Sequence, residues 1–447
     1  MSAVTGLRQV WRQPRFRRLL WVKLWFQSAD GMVQVGVASH TLLSPERQPG
    51  AWAIVGVLAV TMLPFSIVGP FVSVVIDRWD RRRTLRGVDT ARSLLCLLLS
   101  ALVGWRAGGA GTVAVLAIAL VLMGLGRFQV AALMASLPHT IYGDEYLAAN
   151  TALPLIGPFT LMAGALVAAA IRLTLGRLTS PDVADGVIFL VAGALFGASV
   201  IQCRGFARRS LGPEQAVASS LGRSLRDLRA ALAHLAARSP ALLGVVTVAV
   251  TRLVFGFVTV TVILIYRNHF HAVDEVDAAV ADLALWVVAT GAGSLVASAV
   301  NAVFAPRLKL RRSVVAALAV AALCQALPAS IITRGTLVAA SFCLALCAQA
   351  VRINVDTLVQ AHVDDEFKGR VLVIYDLAFN APLVLAGLVV ALVLPADGLS
   401  RVAFLACAMA LAVLAVVFAR RSRAIGPAEF DRGTESVTGL STGAADE

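Results

Sequence analysis

Apolar residues come in this chain in long runs separated by short knots of arginine, proline and acid. Each run is about 20 residues long, the length of helix that crosses the hydrocarbon core of a bilayer. Twelve such spans can be marked, at roughly 18–42, 51–76, 84–105, 112–137, 148–171, 186–203, 241–266, 281–304, 313–333, 336–359, 370–395 and 400–419. A spanning segment has no water to bond its backbone, so each must satisfy its own hydrogen bonds, which leaves the α-helix. Gly and Pro recur inside the spans, as in Ser66–Pro70 and Pro154–Pro158, where close helix crossings and kinks are expected. The pattern predicts an all-α membrane protein with twelve transmembrane helices.

Composition agrees. Of the 447 residues, 59% are hydrophobic and 15% charged; mean hydropathy is +0.82. A soluble core stops growing near ~250–300 residues and could not bury so much apolar surface. The basic, then apolar amino terminus resembles a signal peptide, but its apolar part runs past Lys23 and Asp30 to Leu42 with no small-residue cleavage site, so it reads as a retained first span. The formal charge of +13 suggests nucleic acid until its placement is considered. Arginines cluster at the ends of alternate spans (Arg8–Arg18, Arg78–Arg86, Arg204–Arg238, Arg307–Arg312, Arg420–Arg423). The intervening loops hold only single residues such as Arg47, Arg106, Arg172, Arg177 and Arg267. By the positive-inside rule both termini are cytoplasmic.

The longest inner connection falls in the middle and divides the chain into six spans and six. The expected organisation is an N-terminal six-helix bundle at 1–203, a cytoplasmic linker at 204–240, a C-terminal six-helix bundle at 241–419, and a disordered cytoplasmic tail at 420–447. Within the linker, Leu221, Leu225, Leu228, Leu232 and Leu235 fall at helical spacing among basic residues, with Ser219 or Ser220 as N-cap; an amphipathic helix lying on the inner leaflet is expected. The six cysteines lie in or beside apolar runs and read as small packing residues, not metal ligands.

One knot stands out. After the second span the chain reads Ser73-Val-Val-Ile-Asp77-Arg78-Trp79-Asp80-Arg81-Arg82-Arg83, and Ala305–Arg312 repeats a weaker basic version at the equivalent place in the second half. This segment resembles the loop between helices two and three of the major facilitator superfamily, with Ser73 and Asp80 in place of the two usual glycines. The Asp-Arg-x-Asp-Arg-Arg form is similar to the drug:proton antiporter branch that includes siderophore exporters, and to uncharacterised actinobacterial relatives. Gly157-Pro158 resembles the antiporter motif of helix five, although Leu161 and Met162 stand where its following glycine belongs. Arg127 matches the arginine of the helix-four motif, and Asp356–Asn380 is similar to the helix ten–eleven region. The resemblance implies a cytoplasmic latch in which Asp77, with Arg78, Arg81 and Arg82, meets the start of helix eleven at Lys368-Gly369-Arg370. A helix N-terminus favours such an anion.

Ionisable residues inside a span cost ~2.5–3.5 kcal/mol each on insertion scales and are functional candidates by default. They are Lys23 and Asp30 in span one, Asp89 and Arg92 in span three, Arg127 in span four, Arg252 in span seven, Arg352 and Asp356 in span ten, and Asp376 in span eleven. By the family's architecture spans one, four, seven and ten line a central cavity, and six of these nine residues fall on them. Asp30 is expected to be the proton site with Arg127 its partner, and Lys23, Arg127 and Arg252 to complete the coupling and substrate cavity. Asp89 and Arg92 read as a structural pair near the inner surface. Arg352 and Asp356, four apart on one helix face, pair locally or form an inner gate with Asp376 and Asn380. Four basic residues against two acidic on the cavity helices favour anionic or zwitterionic substrates.

No nucleotide-binding loop, nucleophile–base set or metal-ligand set is evident, so neither an enzyme nor an ATP-driven pump is expected. The expected function is a proton-coupled exporter of a small amphipathic or drug-like compound, working by alternating access as a monomer in the inner membrane. It would use no cofactor beyond the proton gradient, and its partners would be a small-molecule substrate and the bilayer. Import of a polar or anionic solute, and a membrane-embedded lipid-handling or scaffold role, stay open as alternatives.

Overall fold

The computed structural model describes residues 13–42, 52, 56, 79–104, 109–140, 145–207, 210–212, 221–271 and 275–430. They form α1 (Pro14–Leu42), α2 (Arg81–Gly104), α3 (Gly109–Ser136), α4 (Glu145–Leu178), α5 (Pro181–Arg204), α6 (Leu221–Ala237), α7 (Ser239–Asn268), α8 (Val276–Ser330), α9 (Arg334–His362), α10 (Asp365–Val393), α11 (Arg401–Ile425) and α12 (Pro427–Phe430). Ten helices or helix arms among the described residues are long and apolar enough to cross a membrane: α2–α5, α7, the two arms of α8, and α9–α11. At 29 residues, α1 also has the length, about 43 Å at ~1.5 Å per residue. The expected span at 51–76 lies outside the described residues. The chain is a multi-pass, all-helical membrane protein in two compact units, Met1–Arg47 with Ala59–Ser224, and Gln48–Leu58 with Leu225–Glu447.

In the first unit α1 packs on α4 and α5, and α2 on α3 and α5. Large side chains from α1 (Phe16, Phe26, Met32) meet Phe189 and Phe196 of α5 in one buried core. The α1–α4 crossing is the tightest contact. A Cβ added at Gly31 would lie 2.0 Å from the Leu161 carbonyl oxygen, and one at Gly164 would lie 1.9 Å from that of Ser28. Small residues let backbones approach where lipid supplies no hydrophobic drive between helices, and dispersion then holds them. Ser180 caps α5 by accepting from the Val183 amide at 3.3 Å, with Pro181 at the first helical position.

In the second unit α7 packs on α9 and α10, and α8 on α9 and α11. The helical stretch of α8 breaks at Lys309 (φ 57°, ψ 150°), so one helix ends and the next begins where the sequence placed a loop. Asn354 of α9 ties the two arms together, donating to Asn301 at 2.7 Å and Ser313 at 3.3 Å. A Thr333–Thr336 capping box starts α9, and Ser400 caps α11.

Two expectations change here. The linker helix α6 buries Ala231 and Leu235 in the second unit's protein core, while Leu232 is exposed; part of its apolar face has a protein partner. The tail is ordered further than expected: Arg420–Ile425 continue α11, and Phe430 on α12 is fully buried against Phe418, ring centroids 5.9 Å apart. Residues 431–447 lie outside the described residues.

The crossing makes a specific demand. Gly164→Ala is expected to lower stability by on the order of 1–3 kcal/mol through overpacking. Gly87→Ala on α2, where an added Cβ meets nothing within 4 Å, should be neutral or gain up to ~1 kcal/mol of helix propensity. Thermal unfolding of both variants in detergent checks the difference.

Candidate functional site

Among the described residues, each unit carries membrane-embedded charge gathered around arginine. The first unit's cluster is built around Arg92, whose guanidinium is fully buried on α2. One of its amino groups donates to Asp30 of α1, and the other lies 3.8 Å from Asp89 one turn earlier on α2. Asp89 accepts from Gln129 of α3 at 2.7 Å and from Ser199 of α5 at 2.5 Å. The guanidinium lies over the Phe196 ring, 4.1 Å from its centroid. Gly126 leaves it room on the α3 side, since a Cβ there would come within 3.2 Å of the Arg92 amino group. Four helices thus meet at one cation. The two carboxylates are not equivalent: the Asp89 side chain is fully enclosed, while that of Asp30 keeps 14% of its surface exposed.

This changes two assignments. The hydrogen-bonded partner of Asp30 is Arg92, while Arg127 adds its charge to the field at Asp30. Asp89 and Arg92 belong to the same network as Asp30 and are not a separate pair. Sequence reasoning counted residues along each helix and had no access to its rotation, so it matched depths on spans one and four and missed the contact from span three. It also missed Gln129 and Ser199, ordinary polar residues by composition.

A second polar set in this unit was not expected. Asp185 of α5 is buried, accepts from Ser39 of α1 at 2.7 Å, and lies 3.3 Å from Arg172 of α4, with His40 4.0 Å away. Arg172 had been placed in an outer loop, and Asp185 fell one residue before the predicted start of its span. Lys23, also on α1, is buried to 3%. Asp77 and Arg78 lie outside the described residues. Arg81 donates to the carbonyls of Ala135 at 2.7 Å and Leu211 at 3.2 Å, and Arg82 to that of Arg204 at 3.2 Å, so both hold helix ends within the first unit.

The second cluster joins α7, α9 and α10. Arg252 of α7 donates to the Phe379 carbonyl at 3.3 Å, and its guanidinium lies 4.0 Å from the Phe379 ring centroid and 5.1 Å from that of Phe255. Arg352 of α9 also lies 4.0 Å from the Phe379 centroid. Asp356, one turn on from Arg352, is 4.0 Å from it and interacts with Tyr375 and Asp376 of α10. Asn380 donates to the Asp376 carbonyl at 2.9 Å, which spends its amide on its own helix. The structure therefore brings Arg252, Arg352, Asp356 and the Tyr375–Asn380 segment together. Sequence reasoning missed Phe379, the common surface of both arginines, because an aromatic in an apolar span carries no signal of its own.

No protein-family profile matches the chain. Two curated relatives, the uncharacterised MFS-type transporters of Mycobacterium bovis and Mycobacterium tuberculosis, are each 31% identical to it over 398 residues, covering 87% of this chain and 88% of theirs. Among solved structures, the nucleoside transporter NupG aligns with a TM-score of 0.62 at 13% identity, over 90% of this chain and 98% of its own. An inward-facing, unoccupied bacterial homologue of the human lysosomal transporter Spinster aligns at 0.61 and 14%, over 92% and 97%. An outward-facing bacterial homologue of the iron transporter ferroportin, soaked with iron, aligns at 0.59 and 14%, over 91% and 98%. At such identities the likeness is one of fold.

The Arg92 network predicts a large asymmetry between single and double variants. Arg92→Gln strands two carboxylates and is expected to cost about 3–5 kcal/mol of stability, the scale of breaking a buried ion pair from one side. Adding Asp89→Asn should recover part of that loss. Unfolding in detergent measures both; an Arg92→Gln protein as stable as the parent would contradict the network.

Proposed function

The chain belongs to the major facilitator superfamily, and on that premise we propose that it is a proton-coupled exporter of a small amphipathic compound. In this reading it has twelve spans in two six-helix bundles with both termini cytoplasmic, and it works as a monomer by alternating access in the bacterial inner membrane. That it is a transport protein and not an enzyme follows from its homologues and its fold. Proton coupling and the outward direction are the proposal.

The observation that carries it is the position of Asp30. A coupling site must hold a proton in one state and release it in another, and it must be reachable from water. Asp30 shares Arg92 with Asp89, and of the two only Asp30 has an exposed edge. In general, burial favours the protonated form of a carboxyl and an adjacent guanidinium favours the ionised form, so a small change in either moves the proton. Protonating Asp30 would release one side of Arg92, while Asp89, Gln129 and Ser199 keep the other side anchored. The proton event at Asp30 then becomes a change in how tightly α1 is held to α2. The export direction rests on the resemblance to the antiporter branch through the Asp77–Arg83 knot and Gly157-Pro158.

Import of a polar or anionic solute is the second reading. What favours it is the pair of guanidinia held against Phe379 in the second unit, of which Arg252 has no paired carboxylate among the described residues.

Everted membrane vesicles holding an acid-inside pH gradient test the first reading. Addition of a transported compound is expected to dissipate the gradient, read by the fluorescence of a pH dye. Asp30→Asn should reduce the rate to a tenth or less while leaving protein abundance unchanged. If Asp30→Asn transported as the parent does under an imposed pH gradient, Asp30 would not be the coupling site.

A further inference from the structure

We infer that Arg252 and Arg352, with Phe379 between the helices that carry them, form the subsite for a carboxylate group on the transported compound, whose apolar body rests on Phe379 and Phe255. This rests on the transport reading and adds to it the chemical class of the substrate.

The case starts from unbalanced charge. Both guanidinia lie 4.0 Å from the centroid of one ring, so their carbons are no more than twice that distance apart. Like charges so close repel, and Arg252 sits in the field of Arg352. Among the described residues no carboxylate pairs with Arg252: its contacts are the two rings and one backbone carbonyl at 3.3 Å. Arg352 has Asp356, but at 4.0 Å, well beyond the ~2.7–2.9 Å of a charge-assisted hydrogen bond. A pair of cations held together by the fold, Arg252 with no paired carboxylate among the described residues and Arg352 only loosely paired, can take a further anion.

The geometry also limits what that anion can be. A guanidinium presents a planar fork of donors matched to a planar carboxylate, and stacking on an aromatic face fixes the plane of the fork. The Arg352 and Asp356 side chains keep 35% and 39% of their surface exposed, so the polar edge of the cluster is open to an incoming ligand. The two phenylalanines supply an apolar surface directly beside the cations. A compound with a single carboxylate and an aromatic or acyl body matches both features, whereas a lipophilic cation would meet two like charges. Asp356 then acts as a placeholder, engaging Arg352 when the subsite is empty and giving way when the ligand carboxylate arrives.

Equilibrium binding of radiolabelled 2-naphthoate to the purified full-length protein in detergent, with no gradient imposed, tests this. Saturable binding is expected, with 2-naphthol and 2-naphthylmethylammonium competing at least tenfold more weakly than unlabelled naphthoate. Arg252→Gln and Arg352→Gln should each weaken binding at least tenfold, and Arg252→Lys by less, since it keeps the charge and loses the fork. Asp356→Asn, which removes the competing carboxylate, should tighten it. Monodispersity on size exclusion checks that each variant is folded; Arg352, the more exposed of the two, serves if Arg252→Gln is not. Stronger binding of the ammonium compound, unchanged binding in both glutamine variants, or weaker binding in Asp356→Asn would overturn the subsite. Because binding is read without a gradient, a protein that binds naphthoate through Arg252 yet moves no compound in vesicles supports this inference and sinks the transport reading. One that transports but shows no arginine-dependent naphthoate binding does the reverse.

Discussion

The first unit is organised by the need to neutralise one guanidinium where no water can reach it. Arg92 is fully enclosed, and an ion in that position is tolerated only with counter-charge and hydrogen bonds close by. Its needs draw in Asp30 from α1, Gln129 from α3 and Ser199 from α5, the last two acting through Asp89 on its own helix. Replacing the set by apolar residues of similar volume could leave such a bundle as stable or more so. Stability alone therefore does not account for burying these charges; on the transport reading proposed above, they serve a second state that shares them differently.

The two units handle charge in opposite ways. In the first, carboxylates surround a cation, and the exposed edge belongs to an acid. In the second, two cations lie against one aromatic ring, the nearest acid to Arg352 is loosely held, and the exposed edge belongs to Arg352 and Asp356. A carrier that couples a proton to an organic anion needs one group whose ionisation can change and another whose charge does not. Arginine supplies the constant charge, because it stays protonated in proteins; aspartate beside a guanidinium supplies the variable one. On the readings proposed above, the division of residue types between the units follows that division of tasks.

The bilayer made much of the fold legible. Lipid forces every spanning segment to be long, apolar and helical, so periodicity and length place most ends of α2 through α5 and α7 through α11 within a few residues, while α4 and α11 run on past their expected ends at 171 and 419 to Leu178 and Ile425. Site residues were legible as types and depths but not as partners. Asp30 and Arg92 stand 62 positions apart, and their meeting depends on the rotation of α1 and α2 about their axes, which a uniformly apolar span does not encode. Arg172 and Asp185 show the same limit at a helix end: a charge near a span boundary reads as topology unless the opposite charge on the neighbouring helix is already known. The linker shows a third limit. Amphipathicity says that α6 has a face to bury and is silent on whether lipid or protein covers it.

Protein contacts extend from that face to the α9–α10 corner. Around the α9–α10 corner, Arg238 donates to both Asp364 oxygens at 3.0 and 2.8 Å, Asp227 meets Arg370 at 3.1 Å, and the His234 ring stacks on Phe367 with centroids 4.4 Å apart. From the other direction His362 donates to the Glu429 carbonyl at 2.9 Å, beside the buried Phe430. Ion pairs as exposed as Arg238–Asp364 contribute only ~0–1 kcal/mol, so they set register more than strength. The adhesion comes from burying Ala231, Leu235 and Phe430 and from the stacked rings, a small apolar area for one helix and one short tail. Elements held by so little can be released without unfolding the bundle beneath them. The start of α10 carries the Tyr375–Asn380 segment about three turns further on; on the transport reading a displacement at this corner would travel along α10 to Phe379, and through Tyr375 to Asp356 on α9. Through Phe367 and Arg370, the opening turns of α10 are held to α6 by direct protein contacts.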